Sequence, residues 1–70
     1  MHSTYDAEAD AAYFTVAERD APALEQVVVE RPGRGDIVLD FDPEGRLLGV
    51  EVIGARSLLH PTVLAEAEQL

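Results

Sequence analysis

The chain has no cysteine, no lysine and no long apolar segment. The absence of cysteine from the 70 residues excludes a disulfide scaffold, a thiol nucleophile and a thiolate zinc site, and it suits a reducing compartment. No apolar run approaches the roughly 18 residues that span a membrane. The N-terminal segment MHSTYDAEAD lacks the basic and apolar regions of a secretory signal. These absences predict a cytoplasmic protein that does not associate with membranes.

Basic residues are also few. The chain has 14 aspartates and glutamates against 5 basic residues, all of them arginine, which gives a formal net charge of −9 at pH 7. A charge of this sign repels nucleic acid and anionic lipid and attracts basic surfaces. We therefore expect no nucleic-acid binding. Since the same charge also keeps a small domain soluble, it allows a basic protein partner without requiring one.

What the chain does have is a clear β-hairpin signal between Asp36 and Ile53. Apolar and polar residues alternate on each side of a central turn, as they do in paired strands with one buried face. In the turn, Pro43 presets the first dihedral, Asp42 can bond back to the backbone, and Gly45 can adopt the left-handed conformation. The alternating apolar residues are Ile37, Leu39, Phe41, Leu48, Val50 and Val52.

Two registers fit this hairpin. If the loop is residues 42–45, Phe41 pairs with Arg46 and the six apolar residues share one face. If Gly45 instead forms a bulge, Asp42 opposes Arg46 and both faces become mixed. The apolar pattern favours the first register, which leaves a second, mixed face for another element or another chain to cover in part.

Three more strands precede the hairpin. Alternating or β-branched segments predict strands at residues 3–5, 11–16 and 24–31, and the first two of these form a hairpin. The charged, proline-containing segment 18–23 is predicted to be a connection. After the fifth strand, residues 55–59 are expected to form one irregular helical turn.

The last predicted element is a helix over residues 61–70. Pro61 suits the first helical position, and His60 can cap the helix. A helix this short is not stable alone, so its apolar side must dock on the sheet or on a neighbouring molecule. That apolar side consists of Val63, Leu64, Ala67 and Leu70.

Together these elements predict an α+β fold in a single domain that spans residues 1–70. Five short antiparallel β-strands follow one another in meander order, and one C-terminal helix packs on the sheet. An open β-barrel with the helix as a plug is the alternative.

Two motifs carry a resemblance to a known family. The first is Tyr5-Asp6-x-Glu8-Ala9-Asp10-Ala11-x-Tyr13, and the second runs from Ile37 to Ala55 through the hairpin turn. In combination they resemble the family called domain of unknown function 2283 over residues 5–59, with the helix at 61–70 outside the shared pattern. The resemblance implies a compact, mostly antiparallel β domain, and it carries over no activity or cofactor. Some relatives stand beside small toxin-like genes, which suggests an antitoxin-like role.

Acidic residues near the N-terminus form the first candidate ligand site. Asp6, Glu8 and Asp10 alternate as they do at the start of a calcium loop. However, Ala11 stands where such a loop needs glycine, and Ala17 stands where it needs a bidentate glutamate. Capping and turn formation explain these carboxylates without a metal.

The hairpin holds a second acidic pair. Asp40 and Glu51 lie on the same sheet face in the favoured register, and paired carboxylates can bind a hard cation or perform acid-base chemistry. A two-stranded hairpin offers little concavity, so a polar face with ion pairs is the simpler interpretation. We therefore assign no catalytic residue, no metal site and no cofactor, and we take Val63, Leu64 and Leu70 as interface candidates.

These residues predict protein interaction rather than catalysis. Burial of apolar surface contributes about 25 cal/mol per Å² to the free energy of folding. For a chain of 70 residues this gain roughly cancels the cost in conformational entropy of ordering the chain. A subunit interface is the most direct source of additional stability, so we expect a homodimer, with a basic protein as a further candidate partner. The alternative function is a small ligand- or metal-binding domain that uses the surface carboxylates.

Overall fold

The structure is a computed structural model that describes residues 1–18 and 22–70. Residues 19–21 of the predicted connection 18–23 therefore lie outside the described residues. In chain order the described elements are β1 (His2–Asp6), β2 (Ala11–Thr15), β3 (Glu25–Arg31), β4 (Gly35–Phe41), β5 (Leu47–Ile53), α1 (Ala55–Leu58), α2 (Pro61–Glu66) and β6 (Glu68–Gln69).

Several local predictions are confirmed. β1 pairs antiparallel with β2, and β4 pairs antiparallel with both β3 and β5. The helical turn expected after the fifth strand is α1. Pro61 occupies the first turn of α2, and the His60 side chain accepts a hydrogen bond from the Thr62 amide at 3.2 Å. These elements depend on short-range turn and cap chemistry, which a sequence shows directly.

The predicted five-strand meander with one C-terminal helix is wrong. The described chain forms one six-stranded sheet in the order β3-β4-β5-β2-β1-β6, in which β5 lies beside β2 and β3 lies at an edge. The pairing of β2 with β5 places Ala12 opposite Val52 and Phe14 opposite Val50, so apolar side chains of both strands meet on one face. The segment 16–24 is too long to act as a tight turn, so it does not oblige β3 to pair with β2.

The predicted helix over residues 61–70 is also wrong in its second half. α2 ends at Glu66, and Ala67 is extended with φ −74° and ψ 152°. Glu68 and Gln69 then form β6, which pairs in parallel with β1. The Leu70 amide donates to the Tyr5 carbonyl at 2.9 Å. The free backbone edge of β1 therefore outweighs the helix propensity of this segment.

The hairpin register combines features of the two predicted ones. The Asp42 amide donates to the Arg46 carbonyl at 2.9 Å, and Phe41 pairs with Leu47, so the favoured pairing of Phe41 with Arg46 is wrong. The register then shifts between Asp40 and Phe41. Beyond this bulge Leu39 pairs with Val50 and Ile37 with Val52, which returns the apolar residues of both strands to one face, as the alternation predicts.

The core lies between this face of the sheet and the two helices. We call it the covered face, because α1 and α2 pack on its central strands. The opposite face, called the polar face here, carries Tyr13, Asp40 and Glu51. The buried cluster on the covered face consists of Tyr5, Ala12, Val52, Ala55 and Ala67, against which Phe14, Val50, Leu58, Leu59 and Leu64 pack.

Candidate functional site

The turn between β1 and β2 is built around two aspartates. Oδ1 of Asp6 accepts hydrogen bonds from the amides of Glu8 at 3.0 Å and Ala9 at 3.3 Å, as an aspartate does when it nucleates a turn. Asp10 ends the turn with a φ of +53°, a left-handed conformation that aspartate tolerates better than most residues. Two of the three carboxylates in the calcium-like pattern therefore shape the backbone, while Glu8 is exposed.

Asp10 joins this turn to the end of β5 and the start of α1. Its Oδ1 accepts hydrogen bonds from the Tyr5 hydroxyl at 2.8 Å and from the Arg56 amide at 3.0 Å. Its carbonyl accepts from the amides of Gly54 and Ala55, both at 3.0 Å. The two motifs of the family resemblance, far apart in sequence, meet at this one aspartate, so we call this group the Asp10 junction.

The Asp10 junction shifts the pKa of both of its acidic groups. Desolvation tends to raise the pKa of Asp10, but the hydrogen bonds from Tyr5 and Arg56 and the positive charge of Arg56 outweigh it and lower the pKa below its usual range. Desolvation and the hydrogen bond to Asp10 raise the pKa of Tyr5. At neutral pH the junction therefore pairs a neutral phenol with an ionised carboxylate.

A second polar cluster lies on the polar face of the sheet. Asp40, which is only 9% exposed, accepts hydrogen bonds from the Tyr13 hydroxyl at 3.0 Å and from the Gln26 side-chain amide at 2.8 Å. Burial, followed by the hydrogen bond to Asp40 and the charges of Asp40 and Glu51, raises the pKa of Tyr13. The side chain of Tyr13 crosses over Gly49 to reach Asp40. A Cβ atom at position 49 would lie 2.6 Å from the ring carbon Cζ of Tyr13, so this path needs a glycine there.

The predicted turn residues occupy the turn between β4 and β5. Oδ1 of Asp42 accepts hydrogen bonds from the amides of Glu44 and Arg46, both at 2.9 Å. The Gly45 amide donates to the Asp42 carbonyl at 3.0 Å, and Gly45 has a φ of +82°. Pro43 is exposed at the tip. Asp42 therefore organises the turn with its side chain and its backbone together.

Within residues 1–18 and 22–70, no group of three or more histidine, aspartate or glutamate side chains lies close enough to hold a metal ion. Asp10 and Asp40 accept hydrogen bonds from other side chains of the protein, at separate places in the fold. Glu51 shares the polar face with Asp40, since it pairs with Val38 and Asp40 pairs with Gly49. The same described residues form no pocket.

The predicted interface residues of the C-terminal segment occupy different environments. Leu64 packs against the core cluster, and Val63 is half-buried. Leu70 follows β6 and is 73% exposed. An interface that uses all three residues stays a prediction.

The longest run of exposed large apolar side chains in the described chain lies instead in strand β3. All seven of its residues are exposed, and Val27, Val28 and Val29 are 40%, 53% and 42% exposed. Among the described strands β3 pairs only with β4, so its other side presents unpaired backbone groups. We call this side the β3 edge. The sequence did hold a signal for it, because three consecutive valines put apolar side chains on both faces of a strand, and such side chains are normally covered on both faces.

The fold is that of a small domain with one mixed β-sheet, two short helices on one face and, among the described strands, an unpaired edge at β3. Residues 2–56 match the family described as protein of unknown function (DUF2283), and the chain belongs to this family. The match confirms the resemblance seen in the two motifs. Neither a curated protein nor a solved structure matches the chain. None of the described helices has the length and apolar character needed to cross a membrane.

Proposed function

We propose that this domain is a non-enzymatic protein-interaction module that accepts an additional β-strand along the β3 edge. The observation that carries the proposal is the contrast between the sequence of β3 and its position. Its centre consists of three valines, yet the strand lies at the edge of the sheet with all of its residues exposed, and a long, exposed, apolar edge strand is a site for pairing with another chain.

The other edge of the sheet supports the same function. Thr4 and Tyr5 of β1 pair with β6, a strand of two residues that begins with a charged glutamate. Short, charged strands are the usual protection of a sheet edge against pairing with other chains. β3 is long and apolar at its centre, so protection of this kind is confined to its ends, where Glu25, Glu30 and Arg31 lie.

Strand addition is a well-understood mode of recognition. The backbone groups of the edge supply hydrogen bonds of uniform geometry, and alternating side chains supply specificity. Here a seven-residue edge extends over about 23 Å, and the valines on each face would gain cross-strand neighbours from the added strand. The formal charge of −9 favours strand donors that bring positive charge to the ends of the edge.

Capture by tagged bait proteins tests this function. The baits are the wild-type chain, Val28→Lys at the centre of the β3 edge, and Val16→Lys as the matched control. Val16 is 47% exposed and lies outside β3, so both variants make the same change at a similar exposure. Lysine on an edge strand opposes pairing.

We expect the wild type and Val16→Lys to capture a strand donor, either added untagged chain or a protein in a native lysate, and Val28→Lys to capture neither. Equal capture by all three baits, or none by any, contradicts the proposal. Calorimetry with calcium and magnesium on the same samples tests the carboxylate alternative, which a binding heat abolished by Asp40→Asn would favour.

A further inference from the structure

We propose that the occupant of the β3 edge is a second copy of the same chain. The two β3 strands pair antiparallel, and Val28 of one copy lies opposite Val28 of the other across the twofold axis. This inference rests on the proposed function and specifies the partner and the register. It is motivated by the order of the side chains along β3, which is Glu25-Gln26-Val27-Val28-Val29-Glu30-Arg31.

The first argument is charge complementarity. In an antiparallel pair centred on Val28, Glu25 lies opposite Arg31 of the second copy, and the twofold axis repeats this pair. The same register places Gln26 opposite Glu30, and a carboxamide can donate to a carboxylate. Opposite charges directly across a strand pair stabilise it, and like charges destabilise it. This register therefore matches both ends of the strand with their complements.

The second argument is that these charged side chains form no ion pair within the described part of the chain. The ion pairs among the described residues join His2 to Glu68 and Arg46 to Glu44, at other places in the fold. Glu25 and Arg31 are both exposed, at opposite ends of β3. A second copy would give each of them an oppositely charged neighbour.

The third argument is apolar coverage. In the same register Val28 meets Val28 on the polar face, and Val27 meets Val29 on the covered face. Cross-strand pairs of β-branched residues are among the favourable pairs of a sheet. The three valines, which are 40–53% exposed in one copy, would then form one apolar pair on the polar face and two on the covered face.

Backbone geometry is compatible with this register. Alternate residues of an edge strand direct their amide and carbonyl groups outward. A twofold axis can pass midway between two equivalent residues whether they form a hydrogen-bonded or a non-hydrogen-bonded pair. The seven residues would form about six to eight interchain hydrogen bonds. Both copies would also keep their helices on the same side of the joined sheet.

Charge reversal tests the register in the full chain. Glu25→Arg and Arg31→Glu each place like charges opposite one another twice, and the double variant restores opposite charges with their order reversed. The two single changes move the net charge of −9 in opposite directions by two, while the double variant leaves it unchanged. We expect the dissociation constant of the dimer to rise about three- to tenfold in each single variant and to return to the wild-type value in the double variant. Sedimentation velocity at tens of micromolar measures it, and circular dichroism checks that each variant is folded.

Cross-linking tests the same register by position. Because the chain has no cysteine, a single introduced cysteine reports its own neighbours. Val28→Cys should form an interchain disulfide faster than Val27→Cys or Val29→Cys alone, since only position 28 meets itself within disulfide range. A mixture of Val27→Cys and Val29→Cys should cross-link faster than either variant alone.

The outcomes separate this inference from the proposed function. If Val28→Lys abolishes capture but the charge reversals fail to compensate and Val28→Cys does not cross-link preferentially, the β3 edge binds another strand, such as that of a basic protein, and self-pairing is wrong. If the two single charge variants change the affinity in opposite directions, net charge rather than pairing is responsible, and the register is wrong. If Val28→Lys changes nothing, the proposed function itself fails.

Discussion

At the scale of single residues, the fold depends on a few polar side chains that connect distant segments. Asp10 joins the first hairpin to the start of α1, and Tyr13 crosses a neighbouring strand to reach Asp40. Each contact needs a specific neighbour. Tyr13 requires the absence of a side chain at Gly49, and Asp10 requires a backbone amide at Arg56. The effect of substituting one of these residues on stability should therefore depend on whether the residue that it contacts is also present.

Gly49→Ala tests the contact with Tyr13. The new methyl group would displace the tyrosine ring and break its hydrogen bond to Asp40, so we expect a loss of about 1 to 2 kcal/mol in the free energy of unfolding. Urea denaturation measures this loss. In a Tyr13→Ala background the same substitution should be neutral or stabilising, because alanine is preferred over glycine in a strand. An equal loss in both backgrounds would show that Tyr13 is not the cause.

Asp10→Asn tests the electrostatics of the Asp10 junction. Asparagine keeps the hydrogen-bond acceptor and tolerates the left-handed backbone, so the substitution removes mainly the charge. Since the folded-state pKa of Asp10 is lowered, the charge contributes stability above the unfolded pKa, and this contribution is lost as the pH falls through the folded pKa. We expect the variant to melt at a lower temperature at pH 7 and the difference from wild type to narrow below about pH 5. A difference that stays constant with pH would contradict this account.

At the scale of elements, the C-terminal segment shows how tertiary contacts replace local preference. Residues 61–70 contain alanine, glutamate, glutamine and leucine, all of which favour a helix. The chain nevertheless leaves the helix at Ala67, which is 6% exposed within the core cluster. The Gln69 side chain then donates to the carbonyls of Leu64 and Ala67 at 3.0 and 2.9 Å, and so satisfies groups at the end of the helix.

Ala67→Glu and Ala65→Glu form a matched pair that tests this element. Both make the same change of residue and charge, but Ala67 is buried and Ala65 is exposed on α2. We expect Ala67→Glu to cost about 2 kcal/mol or more of unfolding free energy and to increase the binding of a hydrophobic dye. Ala65→Glu should stay within about 0.5 kcal/mol of wild type. Similar effects of the two substitutions would show that the segment does not dock on the core.

The features that the sequence predicted correctly are those that depend on interactions between residues close together in the chain. The hairpin turn at 42–45, the cap at His60 and the helical turn after β5 depend on neighbours a few residues away, and they were predicted. The placement of β5 beside β2, and of β6 beside β1, depends on which free edges remain once the hairpins have formed. Local alternation carries no information on that choice. The sequence showed the two motifs that meet at the Asp10 junction, but it did not show that they are in contact.

At the scale of the whole molecule, net charge and the β3 edge act in opposite directions. Each copy carries a formal charge of −9, which would oppose association, whereas the valines and the charged ends of β3 would favour the dimer that we propose. The charge acts over a distance that salt shortens to roughly 8 Å at about 0.15 M. The apolar and hydrogen-bonded contacts of the proposed strand pair would act at short range and would be much less sensitive to salt.

Salt dependence measures this balance. We expect the dissociation constant of the dimer to fall as sodium chloride increases from about 0.02 M to about 0.3 M, because screening reduces the repulsion between the two copies. The proposed ion pairs between Glu25 of one copy and Arg31 of the other would weaken at the same time, but each would contribute little. Light scattering at tens of micromolar provides the measurement. A dimer that dissociates as salt is added would show that attraction between charges holds it together, and a single-chain mass at every salt concentration would remove the dimer altogether.

The two-residue strand β6 limits how far such a sheet can grow. A domain with two free edges can add copies on both sides without end and so assemble into a filament. In this chain β6 lies along β1 and contributes only Glu68 and Gln69, which leaves one edge that is short and polar and another that is long and apolar. If strands pair at β3 as we propose, the domain has a single edge suited to pairing, and its assembly through β3 would stop at a pair.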